Sequence, residues 1–154
     1  MNFISPVRTR APADAEPVLT MALAHIWRSK ITDKCAEAER HVLRLERAGG
    51  GTCPARASLS QKMESLAQIL TGGACALRAR KIRPLLRRLR ALLDLRSELV
   101  HSTLSLTESK GETVAVLRHA ANEARTILSL ADLKVRHSEF SQIANSLRQE
   151  ADRI

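Results

Sequence analysis

Apolar residues recur every three or four positions through four segments of this 154-residue chain, and that spacing is typical of α-helices. Glycine runs end the first two segments, and serines stand at helix-capping positions before the second and the last. Aromatic residues are scarce, so the core must be built from aliphatic side chains, as a helical bundle allows. The four segments cover approximately residues 17–47, 58–70, 84–102 and 129–154.

The first and last segments carry the longest apolar stripes. The first is predicted to be one helix that ends at Gly49-Gly50-Gly51. Either Ser58 or Ser60 can cap the second helix, and Ser129 can cap the last. The positions predicted to be buried are Leu19, Leu23, Ile26, Ile31, Cys35, Ala38, Val42 and Leu45 in the first helix, and Leu130, Leu133, His137, Phe140, Ala144, Leu147, Ala151 and Ile154 in the last.

The third segment begins with a proline. Pro84 is best placed in the first turn of a helix, where its missing N–H costs nothing. That helix is predicted to run to about His101 or Ser102. Residues 74–83, immediately before it, fit either a separate short helix or an extended connection.

A change of pattern follows the third segment. Residues 103–117 contain an alternating stretch, a turn sequence and a β-branched stretch, which together predict a short hairpin. Residues 119–128 give no clear pattern. The predicted fold is all-α: a four-to-five-helix bundle with a short β-hairpin-like insertion before the last helix. It consists of a flexible arm over residues 1–15 and one helical domain over residues 16–154.

The charge balance favours an anionic partner. The chain has 25 Lys and Arg against 16 Asp and Glu, and its formal net charge is +9. Nineteen of these cations are arginines, whose planar side chains pair well with phosphate. RNA is the partner that we expect, although a GC-rich coding genome explains the total charge equally well. Base stacking is not expected to contribute much, because the aromatic residues are only Phe3, Trp27 and Phe140.

The cysteines bear on the cellular compartment. Cys35, Cys53 and Cys75 are odd in number and lack C-x-x-C spacing, so neither a zinc site nor a disulfide framework is expected. No stretch resembles a signal peptide or approaches the ~20 apolar residues of a membrane span. We therefore expect a soluble, cytoplasmic protein. The histidines lack metal-ligand spacing, and the sequence predicts no metal or other cofactor.

A basic cluster precedes and enters the third helix. If the helix is continuous through Pro84, four arginines share one stripe with Asp94 and His101, and a phosphate backbone could follow that stripe. The alternative is an ordinary solvated helix face. Asp94 could orient His101, but an ion pair between Asp94 and Arg90, four residues earlier on the helix, is the preferred interpretation. The candidate nucleic-acid contacts are Arg80, Arg83, Arg87 and Arg90.

The hexapeptide from Arg96 to His101 carries the candidate chemistry. Arg96 falls near the centre of a leucine face, where a guanidinium needs an anion, a partner chain or a route to water. A metal-independent ribonuclease must move protons at the ribose 2′-hydroxyl and the 5′-oxygen, which an imidazole can do, and must hold charge on phosphorus, which a guanidinium can do. The two Cα atoms lie ~140° apart around a regular helix, so a second copy of the site or arginine's reach would have to bring them together.

The spacing R-x-x-x-x-H at the end of a leucine-rich helix resembles the signature of the HEPN superfamily, and the order of elements over residues 17–154 is also similar. The resemblance implies a helical bundle whose Arg96 and His101, from both subunits of a homodimer, form a metal-independent endoribonuclease site. Ser97 matches a position that the family fills with polar residues. Thr103 stands where toxin members that pair with a nucleotidyltransferase antitoxin carry tyrosine, so that partnership is not implied.

Two other functions stay open. Many HEPN-like domains are not catalytic, so an RNA-binding, dimerisation or regulatory module is the alternative. On that interpretation Arg96 extends from the core edge towards water and His101 is stabilised by the helix dipole. A sequence-specific DNA-binding protein is a poorer third option, because no helix-turn-helix pattern is evident.

Overall fold

The computed structural model describes residues 16–72 and 76–154, and within them the chain is mostly helical with one small antiparallel sheet. The predicted arm over residues 1–15 lies outside the described residues. No helix in the described part is long and apolar enough to cross a membrane. The elements are α1 (Met21–Ala48), α2 (Leu59–Thr71), α3 (Ala76–Ala91), α4 (Leu93–His101), β1 (Ser102–Ser109), β2 (Glu112–His119), β3 (Arg125–Leu128) and α5 (Leu130–Ala151).

The core lies mainly between the two longest helices, α1 and α5. Most positions of the two predicted stripes are buried, and Phe140 at the centre of α5 has no exposed surface. Two predicted core positions are wrong. Ile26 is 50% exposed because the buried face of α1 there passes through Ala24 and Ile31 instead. Ile154 is 58% exposed because α5 ends at Ala151, before the stripe reaches it.

Serine side chains set the starts of two helices. Ser58 caps α2, and its capping box is complete: the Ser58 hydroxyl accepts the backbone N–H of Gln61 at 3.2 Å, and the Gln61 side chain accepts the backbone N–H of Ser58 at 2.9 Å. Ser60 is already inside the helix. Ser129 caps α5 through the same reciprocal arrangement with Asp132, which confirms its predicted role.

The third predicted helix is wrong at its start and in its continuity. α3 begins at Ala76, and Pro84 lies in its interior. Pro84 is exposed, so water can reach the carbonyl of Arg80, which the missing N–H leaves without its helical partner. The helix is then interrupted at Leu92, whose φ of −100° and ψ of 0° separate α3 from α4. The row of arginines therefore does not continue to His101 on one regular helix.

The predicted hairpin is present, and a third strand extends it. β1 and β2 pair with Ser109 opposite Glu112, around a two-residue turn at Lys110 and Gly111. Both turn residues have positive φ, 52° and 81°, as a hairpin turn with the right-handed twist of the strands requires. β3 adds to the free edge of β2 and falls within residues 119–128, where the sequence gives no clear pattern.

The cap of α2 can be tested with two neighbouring serines. Ser58→Ala removes one side of the capping box and should lower the free energy of unfolding by about 1 kcal/mol, whereas Ser60→Ala should change it little. Urea unfolding followed by circular dichroism measures both variants. Equal destabilisation by the two substitutions would contradict the assignment of Ser58 as the cap.

Candidate functional site

The basic residues of α3 fall into two rows on either side of its buried face. The buried face is formed by Ala79, Ile82, Leu86 and Leu89. One basic row faces α5, where the Arg88 side chain donates to Gln142 at 3.3 Å and Lys81 lies 4.0 Å from Glu150. The other row faces α2 and contains the four predicted nucleic-acid contacts, Arg80, Arg83, Arg87 and Arg90.

A groove lies between α2 and α3 along this second row. Its main part has a volume of about 570 Å³, and an adjoining depression of about 480 Å³ extends it to Arg80. The floor is apolar, the rim is cationic, and Glu64 supplies the acidic group of the main part. Among the described residues no aromatic side chain lines either part, so the groove suits contacts to phosphates better than base stacking. The main part is lined by Met63, Glu64, Ala67, Thr71, Arg83, Leu86, Arg87 and Arg90.

The four arginines of this row are not equally available. Arg83 donates to the carbonyl of Leu70 at 3.1 Å, and Arg90 pairs with Glu64 at 3.3 Å. The preferred pair of Arg90 with Asp94 is therefore wrong, because the break at Leu92 places Asp94 in the first turn of α4 instead. Within the described residues, Arg80 and Arg87 have no hydrogen-bonded or acidic partner.

Arg96 lies between α4 and α1. It is half-buried, and its guanidinium lies against the Cys35 thiol of α1. Burial raises the pKa of this thiol to about 11, although the nearby charge of Arg96 acts to lower that pKa. The polar partner that Arg96 needs is thus supplied in part by its own chain.

His101 lies at the opposite side of α4 and is exposed. It is the last residue of the helix, and Arg28 of α1 donates to the neighbouring carbonyl of Val100 at 3.3 Å. Because residues five apart on a helix differ by ~140° in direction, Arg96 and His101 contact different parts of the molecule. Ser97 is half-buried on the same helix. One chain therefore does not bring the predicted catalytic residues together.

His119 is the neighbour of His101 that the sequence did not single out as a site residue. The two ring centroids are 6.3 Å apart and the rings are inclined by 69°. The hairpin explains this proximity, since its register places His119 opposite Ser102. The sequence contained the information needed to predict this proximity, because a tight turn at Lys110 and Gly111 fixes which residues of the two strands pair.

Comparison with protein-family models, with curated proteins and with solved structures finds no match to this chain. Within residues 16–72 and 76–154, no group of three or more His, Cys, Asp and Glu side chains is arranged to hold a metal ion. The function is therefore inferred from the chain's own residues.

The burial of Cys35 predicts unequal reactivity of the thiols of Cys35 and Cys53. At pH 8 a thiol with a pKa near 11 is ionised to about one part in a thousand, and Cys35 is also buried, whereas Cys53 is partly exposed. Iodoacetamide should modify Cys53 in the native protein and Cys35 only after unfolding. Peptide mass spectrometry over time measures both sites, and similar native rates would contradict this placement of Cys35.

Proposed function

We propose that the chain is a HEPN-like domain that binds RNA along α3 and cleaves it at a homodimeric site containing His101 and Arg96. The observation that carries this proposal is the row of four arginines on the α2 side of α3, which precedes a helix ending in an exposed histidine. The mostly helical fold with a β insertion before the last helix also supports the proposal. The cytoplasm is the proposed compartment.

The proposed reaction is a transesterification that consumes no water. A neutral imidazole of His101 takes the proton of a ribose 2′-hydroxyl, and the 2′-oxygen attacks the adjacent phosphorus. The bond from phosphorus to the 5′-oxygen breaks, and that oxygen takes the proton from the His101 imidazolium formed in the first step. The products are a 2′,3′-cyclic phosphate and a 5′-hydroxyl. Arg96 would stabilise the extra negative charge on the phosphorus oxygens.

A second copy of the chain is part of this proposal. Arg96 and His101 of one chain face different parts of the molecule, so the proposed composite site joins His101 of one copy to the exposed part of the Arg96 side chain of the other. Val100, beside His101, is 41% exposed and offers an apolar contact at the end of α4. The proposed dimer contact is α4, which corresponds to the C-terminal half of the helix predicted over residues 84–102.

One observation favours the non-catalytic alternative. Arg96 is half-buried beside a thiol of its own chain, which is a structural use of the side chain. A module that binds RNA through α3 alone needs neither Arg96 nor His101 for chemistry. Cleavage assays decide between the two functions, since both predict RNA binding.

Replacing His101 tests the cleavage. His101→Ala should reduce the rate of RNA cleavage at least ~10²-fold while RNA binding persists, because the variant has no proton-transfer group at this position. The free energy of unfolding should change by about 1 kcal/mol or less, the scale of a charge at a helix end. Rates are measured on structured and unstructured RNAs with a chelator present.

His25→Ala is the matched control, because His25 is an exposed histidine on α1 that has no catalytic role in the proposal. It should cleave at the parental rate. Undiminished cleavage by the His101 variant would reject the ribonuclease, and absence of cleavage by the parent protein on all RNAs would favour the binding module.

Replacing Arg80 and Arg87 in the groove tests the binding. Arg80→Ala with Arg87→Ala should weaken RNA affinity and reduce the slope of log affinity against log salt by ~0.7–0.9 for each phosphate that is no longer bound. Arg40→Ala with Arg56→Ala removes the same charge from exposed positions on α1 and on the loop before α2. Fluorescence anisotropy at several salt concentrations compares the pairs, and equal effects would show that only total charge matters.

A further inference from the structure

Two imidazoles meet where α4 ends and the sheet begins. His101 ends the helix, Ser102 starts β1, and His119 ends β2 opposite Ser102. Their centroid distance of 6.3 Å and inclination of 69° are those of an edge-to-face aromatic pair. Neither ring is buried, however, so a ligand in solvent can reach both. A phosphate beside the pair can accept hydrogen bonds from a nitrogen of each ring.

The protein fixes the orientation and the proton position of His119. The backbone N–H of Ala121 donates to Nδ1 of His119 at 3.2 Å, so the neutral ring carries its proton on Nε2. The backbone of His119 is held as well: its N–H donates to the carbonyl of Ala124 at 3.0 Å, and its carbonyl accepts the N–H of Glu123 at 3.1 Å. His119 thereby presents a fixed N–H donor rather than a free base.

One cation near the pair comes from α1. Arg118 and Arg125, which face each other on β2 and β3, lie on the other face of the sheet from His119, because side chains alternate along a strand. Arg28 of α1 lies at the end of α4 through its bond to Val100. The acid on the adjoining turn of α4 is Glu98, and its carboxylate already accepts the hydroxyl of Thr126 on β3.

We propose that His101 and His119 form a phosphodiester-binding site in which His119 donates its Nε2–H to a non-bridging phosphate oxygen. His119 holds the phosphate while His101 remains free to exchange a proton. The binding role stands on the geometry of the pair, and its use in cleavage rests on the proposed ribonuclease function. The site differs from the α3 groove, whose described lining includes no histidine.

Three substitutions of His119 distinguish the loss of its hydrogen-bond donor from a general loss of folding. Asn can keep the acceptor for the Ala121 N–H but lacks the Nε2 donor, Gln can place an amide N–H near Nε2, and Ala removes both groups. The probe is a 2′-O-methyl dinucleotide, a phosphodiester that this chemistry cannot cleave. Its binding to the full chain is followed by ¹⁵N NMR of the histidine rings and by titration.

The expected result has three parts. The free protein shows His119 with its proton on Nε2, and the probe shifts the ring signals of His101 and His119. Affinity falls about tenfold or more in His119→Asn and His119→Ala, the range for a hydrogen bond to a charged group, and stays within about threefold of the parent in His119→Gln. An Nδ1–H tautomer, absence of histidine shifts in the parent, or parental affinity in His119→Asn would overturn the proposal.

Cleavage assays on the same variants separate the two proposals. If the parent binds the probe through His119 but cleaves no RNA, the ribonuclease function fails and the phosphodiester site stands. If the parent cleaves RNA and His119→Asn keeps the parental kcat/KM and pH profile, the ribonuclease stands and the role of His119 fails.

Discussion

The packing of α1 against its neighbours positions α4, the helix that carries Arg96 and His101. Its central residues pack on α5 to form the core, and one turn of the same face brings Cys35 against Arg96 of α4. Nearer its start, Arg28 binds the carbonyl of Val100 near the end of α4. Because the short α4 is tied to one long helix at two places, its nine residues keep their position, although an isolated helix of that length would be unstable in water.

The two rows of basic residues on α3 have different roles. The row facing α5 is engaged by side chains and carbonyls at the C-terminal half of the molecule, so its charge serves in part to attach one helix to another. The row facing α2 borders a groove with an apolar floor and retains arginines without partners in the described part of the chain. Counting cations in the sequence could not separate these rows, because the separation depends on which helices flank α3.

Periodicity and capping chemistry predicted most of the fold. The stripes of α1 and α5, the caps at Ser58 and Ser129 and the hairpin all follow from local patterns that the tertiary structure retains. Pro84 misled the prediction of α3, because burial of Ile82, Leu86 and Leu89 compensates for a residue that locally disfavours a helix interior. The residues of the candidate site were identifiable by type, but most of their neighbours on other helices were not. Cys35 beside Arg96 and Glu64 beside Arg90 are long-range contacts that no spacing rule contains.

The length of the tight turn at Lys110 and Gly111 determines which residue of β2 lies beside His101. Side chains alternate between the two faces of a strand, so insertion or deletion of one residue between β1 and β2 would exchange the face that each β2 residue occupies. If the two-residue turn is kept, an insertion would place Arg118 opposite Ser102 beside the end of α4, and a deletion would place Ala120 there. Natural variation in the length of this turn would therefore change the chemistry beside His101 without any substitution in α4 or β2.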